Sequence, residues 1–440
     1  MNSGSPQLTR RALFGAMGAG AAAAALAGCS PMQRAAVTGT GLPSDLVTFW
    51  NFFGGGDGAR MTEMVADYQA TYPDIPLRST TLTWGNPFYT KLALGTLSRQ
   101  PPLVASCHVD RLVTPVDTGL LRPFDLDELA EWGITEDKFF PRAWEASHRH
   151  GELWAIPLDF HPLAVYYNKP IAEQAGLLTA EGTLAEPVGT QAFEDMLAAA
   201  KDVMGTPSTG FLNDAAGHYR VFYSLHSQAG GEMVSEDGRT AILTKEVFLE
   251  VVSWMRSLTH EKELLVRTID PGGAIANFVN NRFAFFFSGG WERPTFVDAG
   301  VDFGIHSWPK VYDKHVAWDG THSFVIPTYD EDPARIASAL HFISGMLERS
   351  ATWVEGGHMT TWLPVQDDPR TQEIQPHYEN LPVDGTLYDP QAWYAGSGGN
   401  LQTVIGQPLA ACTQGHISVE DAYDQALAGL RELAATEPPK

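Results

Sequence analysis

The chain has 440 residues, of which 44% are apolar and 18% are charged, and this composition is typical of a globular protein with room for two hydrophobic cores. The formal net charge of −23 argues against nucleic acid or an anionic membrane surface as a partner, because both attract positively charged proteins. A neutral ligand is not excluded. The 12 tryptophans offer flat apolar faces, on which the CH faces of sugars can stack.

Residues 1–28 have the pattern of an export signal. Arg10 and Arg11 precede an alanine- and glycine-rich apolar run that ends at Ala27, and this run is too short to span a membrane comfortably. Adjacent arginines in this position are typical of a twin-arginine signal, and an ordinary secretory signal, which can also carry two arginines, is the alternative. We therefore expect a signal peptide over residues 1–28 and a mature chain that is exported.

The end of this segment resembles a lipobox. The stretch Leu26-Ala27-Gly28-Cys29 has the small residues and the cysteine of that motif. The resemblance implies cleavage before Cys29 and attachment of lipid to its sulfur, on the outer face of the cytoplasmic membrane. Residues 29–44 are rich in Ser, Pro, Gly and Thr, which predicts a flexible tether between the lipid and the folded part.

Two further cysteines would enter an oxidising compartment. A disulfide between Cys107 and Cys412 is possible there, and two buried thiols are the alternative, because the sequence does not show whether the two residues are close in space. No metal site is predicted, since Cys107 and His108 are not followed by a second ligand pair at useful spacing.

The folded part begins with a strand, helix and strand. The first predicted strand, 46–50, ends at Trp50, and Asn51 follows it. A glycine-rich loop then leads to a helix with apolar residues at helical spacing. The glycine run is not a phosphate loop, because no Lys-Ser/Thr pair follows it.

A third strand, 101–105, leads to Asp110 and Arg111. Ligands bind at the carboxyl ends of strands in open α/β sheets, so both side chains are candidate ligand contacts. A local salt bridge or a helix cap is the alternative for Asp110.

The stretch 153–167 predicts a passage between two sheets. Strands 153–158 and 163–167 are joined by a polar break that contains Asp159 and His161. Prolines within and after the first strand make a plain hairpin in a central sheet unfavourable, because proline cannot donate a ladder hydrogen bond.

In two later stretches, an apolar strand again lies next to residues that can contact a ligand. The strand at 284–288 runs into Gly290 and Trp291, and a glycine lets a ligand approach the backbone closely. Asp319 and Gly320 precede an apolar strand. Asp319 can supply a carboxylate acceptor to a ligand or can simply begin a turn.

These motifs, in this order, resemble the extracellular solute-binding proteins of ABC importers, and specifically the sugar-binding branch (family 1), many of which are lipoproteins. The resemblance rests on FW at 49–50, YPDI at 72–75, GLLRPF at 119–124, IP at 156–157 with YYNK at 166–169, GGW at 289–291 and GTHSFVIP at 320–327. Leu103 and Asp319 depart from the usual Asp and Gly of that pattern.

The resemblance implies an α/β fold of the periplasmic-binding-protein type, with two α/β lobes, a ligand cleft and three interdomain crossovers. The first lobe is expected over 45–160 and 319–362, and the second over 161–318 and 363–440. In relatives the amino end of the helix with His218, Tyr219 and Arg220 faces the cleft. The expected ligand-binding residues are Trp50, Asn51, Asp110, Arg111, Asp159, His161, Tyr219, Gly290, Trp291, Asp319, Gly320, Trp362 and Asn400.

The implied function is capture of a sugar or oligosaccharide by hinge closure and its delivery to a membrane permease, by a monomer without cofactor or enzymatic activity. A polyol or a glycerophosphodiester is an alternative ligand. A secreted glycoside hydrolase is an alternative of another class, in which Asp159 would pair with Asp110 or Asp319, since such enzymes use two carboxyl groups. A lipoprotein that presents solute to a signalling partner would share all binding predictions.

Overall fold

A computed structural model describes residues 46–329, 332–374 and 385–439. The predicted signal peptide, Cys29 and most of the tether lie outside these residues. Among the helices of the described part, none combines the length and the apolar character needed to cross a membrane.

The chain alternates strands and helices. The strands are β1 (Val47–Asn51), β2 (Leu77–Thr81), β3 (Val104–His108), β4 (Leu121–Arg122), β5 (His148–Arg149), β6 (Glu152–Leu153), β7 (Ile156–Pro157), β8 (Asp159–Phe160), β9 (Leu163–Asn168), β10 (Thr209–Leu212), β11 (Leu265–Ile269), β12 (Phe285–Gly289), β13 (Phe303–Ser307), β14 (Ala317–Trp318), β15 (His322–Pro327), β16 (Met359–Thr360) and β17 (Thr386–Leu387). The helices are α1 (Gly58–Thr71), α2 (Asn86–Leu97), α3 (Val113–Asp117), α4 (Leu126–Glu131), α5 (Pro141–Ala146), α6 (Lys169–Gln174), α7 (Thr190–Met204), α8 (Ala215–Gln228), α9 (Lys245–His260), α10 (Pro271–Val279), α11 (Arg293–Asp298), α12 (Pro333–Glu348), α13 (Ser350–Val354), α14 (Pro369–Ile374), α15 (Asn400–Thr413) and α16 (Val419–Ala435).

The first lobe is built on a mixed sheet of order β2-β1-β3-β15-β4, with β7 paired to β15. Strands β1, β2 and β3 are parallel, and β15 runs antiparallel to β3. Phe49 of β1 packs between Phe324 and Phe342, with ring centroids 5.9 and 5.2 Å away. Strand β3 begins at Val104 and not at residue 101 as predicted, because Pro101 and Pro102 cannot donate to the ladder.

The second lobe contains the antiparallel sheet β12-β9-β13 and the parallel pair β10-β11. All six residues of β9 are buried, as expected of a strand that is covered on both faces. Apolar faces of α7, α8, α9, α15 and α16 contribute buried residues to the core of this lobe. The final helix, α16, begins at a capping box formed by Ser418 and Asp421.

The chain passes between the two cores three times. Leu158 belongs to the first core and Leu163 to the second. Trp318 and Phe324 mark the return, and the third passage runs through 358–361, next to Trp362 of the first core. The predicted architecture of two α/β lobes is confirmed. The residue limits given to each lobe stay predictions.

The passages are hydrogen-bonded to one another. Strand β8 pairs with β16, which joins the first passage to the third. The backbone N–H of Leu158 donates to His322 and that of His161 to Gly320, at 2.7 and 2.9 Å, which joins the first passage to the second. The three passages therefore form one hinge ribbon, defined here as 158–161, 318–322 and 358–361.

The two cysteines of the described part do not form the possible disulfide. Both thiols are free and buried. Cys107 belongs to the core of the first lobe and Cys412 to that of the second.

Candidate functional site

A cleft of about 450 Å³ lies between the two lobes. A solute in this cavity would contact both lobes at once. The walls carry aromatic rings, imidazoles and charged groups: Phe52, Phe53, Gly54, Gly55, Asp57, Leu82, Thr83, Trp84, His108 and His322 on the side of the first lobe, and His161, Asp214, Ala216, Arg220, Trp291 and Glu292 on the side of the hinge and the second lobe.

The aromatic groups of the cleft stand at the carboxyl ends of strands, where ligands bind in open α/β sheets. Phe52 and Phe53 follow the end of β1, His108 is the last residue of β3, and Trp291 lies two residues beyond β12. A side chain at Gly289 would overlap the ring of Trp291, so the glycine lets this ring fold back against the backbone.

A larger cavity, of about 1050 Å³, lies on the first lobe alone. Trp50 lines it, and the ammonium of Lys91 is 5.2 Å from the centre of the Trp50 ring. Because residues of a single lobe form its walls, closure of the lobes does not enclose it. The cleft is therefore the better candidate for the binding site.

Arg220 projects from α8 into the cleft among three tryptophans. Its guanidinium carbon lies 4.4 Å from the ring centre of Trp318, 4.9 Å from that of Trp291 and 5.7 Å from that of Trp84. These are cation–π distances. The Nε of Arg220 has no hydrogen-bond partner, although the negative charges of Asp214, Asp389 and Asp110 act on the guanidinium. The cleft therefore holds a positive charge that a ligand can pair.

Two acidic side chains face each other across the cleft. Asp57 belongs to the first lobe and Glu292 to the second, and both line the cavity. Burial, together with the charge of Asp57, raises the pKa of Glu292 to about 7. Glu292 can therefore act as a hydrogen-bond donor as well as an acceptor near neutral pH.

Behind the cleft, the hinge ribbon contains Asp159 among three imidazoles. The Nδ1 atoms of His161, His322 and His358 lie 2.9, 2.7 and 3.6 Å from its carboxylate oxygens. The indole N–H of Trp353 also donates to this carboxylate. Burial alone would raise the pKa of Asp159, but the imidazoles outweigh it and hold this pKa well below its usual range.

His161 is held in place from several sides. Burial lowers its pKa to about 3, so its imidazole is neutral at physiological pH. Its backbone N–H donates to Asp319 Oδ1 at 2.9 Å. A side chain at Gly320 would overlap the His161 ring, so this glycine is required by close packing. Of the predicted hinge residues, His161 lines the cleft, while Asp159, Asp319 and Gly320 support it from behind.

Of the predicted neighbours Gly290 and Trp291, only Trp291 lines the cleft, and a ligand contact of either residue stays a prediction. The ring of Trp291 meets that of His161 edge-on at 5.7 Å. The carbonyl of Gly290 accepts a hydrogen bond from Tyr166 at 2.7 Å, and it also fills the space that a side chain at Gly357 would need.

Three other predicted residues lie at a second contact between the lobes, outside the cleft. Asp110 Oδ2 accepts hydrogen bonds from the backbone N–H and the hydroxyl of Ser397, at 3.1 and 3.2 Å. Arg111 donates to Asn86, and Asn86 donates to Asn400, at 2.9 and 3.0 Å. Arg111 and Asn400 line a separate cavity of about 500 Å³. Their contacts join the lobes, and a role in ligand binding stays a prediction.

The remaining predicted residues are not in the cleft. The amide of Asn51 bonds to Ser79 inside the first lobe, and the hydroxyl of Tyr219 donates to Asp389 at 3.0 Å. Trp362 packs edge-on against Phe139 in the first core. These three residues and Trp50 lie near motifs of the family in the sequence. The directions of their side chains, however, follow from strand alternation and core packing, which the motifs do not encode.

Sequence reasoning missed Trp84, His108, Phe52, Phe53, His322 and Glu292. One signal was available for His322, since a histidine stands in each of the three expected crossovers, at 161, 322 and 358. No comparable pattern distinguishes Trp84 or His108, which reach the cleft through the sheet topology.

Residues 55–347 match the family model described as bacterial extracellular solute-binding protein. The chain belongs to this family. It is 25% identical over 230 residues to an arabinooligosaccharide-binding protein of Halalkalibacterium halodurans, covering 51% of this chain and 48% of that protein. It is 22% identical over 250 residues to a maltooligosaccharide ABC transporter solute-binding lipoprotein of Streptococcus pneumoniae, covering 54% of each. The chain thus spans about half the length of these curated relatives.

Solved structures share the fold over nearly their whole length. Maltose-bound MalE3 of T. maritima superposes with a TM-score of 0.74 at 17% identity, covering 88% of this chain and 99% of that chain. UgpB of Mycobacterium tuberculosis, in complex with glycerophosphocholine, gives a TM-score of 0.73 at 18% identity, covering 89% and 98%. At these identities the similarity establishes the fold alone.

Proposed function

We propose that this solute-binding protein is the substrate-binding component of an ABC importer, which captures a sugar or oligosaccharide in its cleft and delivers it to a membrane permease. The observation that carries the proposal is that Trp84 of the first lobe and Trp291 of the second line the same cavity. Aromatic faces suit the CH faces of sugars, and the charged groups nearby suit their hydroxyls. The two curated relatives named above, which bind arabino- and maltooligosaccharides, support this ligand class.

Hinge closure is the proposed mechanism. A ligand shifts an equilibrium between open and closed forms only through different affinities for the two. A solute that contacts only one lobe in the open form also contacts the other lobe in the closed form, and it therefore binds the closed form more tightly. Closure also changes the surface of the protein, and this change allows the permease to recognise the loaded form. The protein would work from the outer face of the membrane, anchored by lipid at Cys29, and one curated relative is named a lipoprotein.

A glycerophosphodiester is a second candidate ligand, and Arg220 favours it. The guanidinium lines the cleft, its Nε has no hydrogen-bond partner, and arginine binds phosphate through paired hydrogen bonds. The aromatic rings around it would suit an apolar or cationic head group. The hydrolase alternative has less support, because Asp110, Asp159 and Asp319 do not line the cleft.

A thermal-shift screen of the purified protein tests the proposal. The panel holds sugars, oligosaccharides, polyols and glycerophosphodiesters, because a ligand that binds only the native state raises the melting temperature. An oligosaccharide that stabilises the protein, and still does so with Arg220→Gln, supports the first candidate. A glycerophosphodiester whose effect disappears in Arg220→Gln supports the second. Absence of any shift across the panel contradicts both.

A further inference from the structure

Four potential metal ligands meet in the hinge ribbon. Asp159, His161, His322 and His358 place one donor atom each so that all four atoms lie within 4.8 Å of one another. None of these residues is more than 5% exposed. They come from all three passages between the lobes, so residues up to 199 positions apart in the sequence are brought to one point.

The orientation of His358 indicates that a cation belongs at this point. Its Nε2 lies 3.2 Å from Asp57 Oδ2, and this carboxylate can only accept, so Nε2 carries a proton. The opposite nitrogen, Nδ1, is buried without a hydrogen-bond partner and lies 3.6 Å from Asp159 Oδ2. If the His358 ring is neutral, the lone pair of its Nδ1 points at the carboxylate of Asp159 in the protein interior. Two electron-rich groups then face each other without water, which is unfavourable unless a positive charge lies between them.

The donors suit a divalent transition metal. Imidazole nitrogens and a carboxylate oxygen bind Zn²⁺ at about 2.0–2.2 Å, which puts neighbouring donors of a tetrahedral site roughly 3.3 Å apart. The three imidazole Nδ1 atoms already lie 2.7, 2.9 and 3.6 Å from the Asp159 oxygens. Small movements of these groups would therefore create the site.

The surroundings also match those of metal sites. Ligating histidines usually donate their second nitrogen to a carboxylate, as His358 does to Asp57. Asp159 is itself fixed, because the backbone N–H of His322 donates to Oδ1 at 3.0 Å and the indole of Trp353 donates to Oδ2. The ring of Trp353 stacks on His358 with the planes 2° apart.

We propose that Asp159, His161, His322 and His358 form a binding site for a divalent transition metal of the zinc class. The ion would join the three passages of the hinge ribbon. Because His161 and His322 also line the cleft, it would fix the cleft floor in addition to the hinge. This site does not depend on the nature of the transported solute.

Metal titration of the full-length protein, after removal of metals with a chelator, tests the proposal. We expect one Zn²⁺ per chain with a dissociation constant of micromolar or below, and a rise in melting temperature in the same concentration range. Co²⁺ should give the visible absorption of a tetrahedral nitrogen and oxygen site. Absence of saturable Zn²⁺ and Co²⁺ binding to the wild-type protein would overturn the proposal.

Variants identify the ligands. His358→Gln should weaken Zn²⁺ binding at least 100-fold and abolish the Co²⁺ spectrum. Asp57→Asn, which leaves all four ligands in place, should weaken binding about 10-fold. His306→Gln is the matched control, because His306 is buried in the second lobe away from the cluster and should leave binding unchanged. If His358→Gln does not fold, the zinc affinity of Asp57→Asn and the Co²⁺ spectrum of the wild-type protein still test the assignment. Equal zinc binding by wild type, His358→Gln and Asp57→Asn would contradict the assignment.

Discussion

At the scale of single residues, the predicted site divides into side chains that line the cleft, side chains that support it and side chains of the cores. Trp291 and His161 line the cleft. Asp159 and Asp319 hold His161 from behind. Trp362 belongs to the core of the first lobe. Sequence motifs thus locate the regions that approach the ligand, whereas the direction of each side chain depends on packing that the motifs do not encode.

Asp110 gives a pH-dependent prediction. Burial, together with the charge of Asp389, raises the pKa of Asp110 to about 7 in the folded protein, against 3.8 for an ordinary aspartate. Between these values the folded state holds a proton that the unfolded state has lost, so stability falls as the pH rises from 4 to 7 and the loss is complete above 7. Asp110→Asn cannot ionise, and it should therefore raise the melting temperature relative to wild type at pH 8.

The same comparison at pH 5 is the internal control. At pH 5 only the first part of the loss between pH 4 and pH 7 has occurred, so the advantage of Asp110→Asn should be clearly smaller than at pH 8. The difference between the two pH values is expected to be on the order of a few kcal/mol. Asp74→Asn, on the exposed surface, controls for the substitution itself. An equal effect of Asp110→Asn at both pH values would refute the assignment.

At the scale of elements, strand ends and passages position the site. The sequence predicts the first strand and β9, because their apolar runs and flanking breaks are local signals. It does not predict the cluster around Asp159, because His322 and His358 reach it only through the pairing of the three passages. The missing information is the topology, which no local pattern contains.

Asn51 illustrates how an element end is fixed. Its side chain donates to Ser79 and accepts from Thr81, each at 3.0 Å, and also accepts from the backbone of Phe53 at 3.3 Å. It therefore joins the ends of β1 and β2 just before the aromatic pair of the cleft. Asn51→Ala should cost about 2 kcal/mol, because buried partners lose their hydrogen bonds.

Thermal unfolding measures this cost. The melting temperature of Asn51→Ala should fall by several degrees, whereas Asn213→Ala, which loses one exposed hydrogen bond to Thr268, should stay close to wild type. Similar melting temperatures for the two variants would argue against a structural role of Asn51 and return it to the candidate ligand contacts.

At the scale of the whole molecule, the lobes meet on two sides of the cleft. Gly56 of the first lobe lies against Thr295 and the backbone of Trp291 on one side. On the other side Gly398 lies against Gly85, where an added side chain would come within 2.6 Å of the Gly85 Cα. We therefore expect the proposed closure to depend on glycines at these points of contact.

Gly398→Ala tests this dependence against a matched control. Gly398 and Gly300 both have φ of +67°, but a side chain at Gly300 meets no atom within 4 Å. Both alanine variants carry the same backbone strain. Gly398→Ala alone should obstruct closure and weaken ligand binding about 10-fold or more, since each 1.4 kcal/mol is tenfold in affinity. Equal affinities of the two variants would show that this contact does not take part in closure.

The most direct test of capture between the lobes is a calorimetric titration of the solute found by the thermal-shift screen into four proteins. These are wild type, Trp84→Ala, Trp291→Ala and Trp50→Ala. We predict that Trp84→Ala and Trp291→Ala each weaken binding roughly 10- to 100-fold through lost stacking area, while Trp50→Ala, whose ring lines the separate cavity on the first lobe, binds as wild type does. Unchanged affinity in either cleft variant, or loss of binding in Trp50→Ala, would contradict the account.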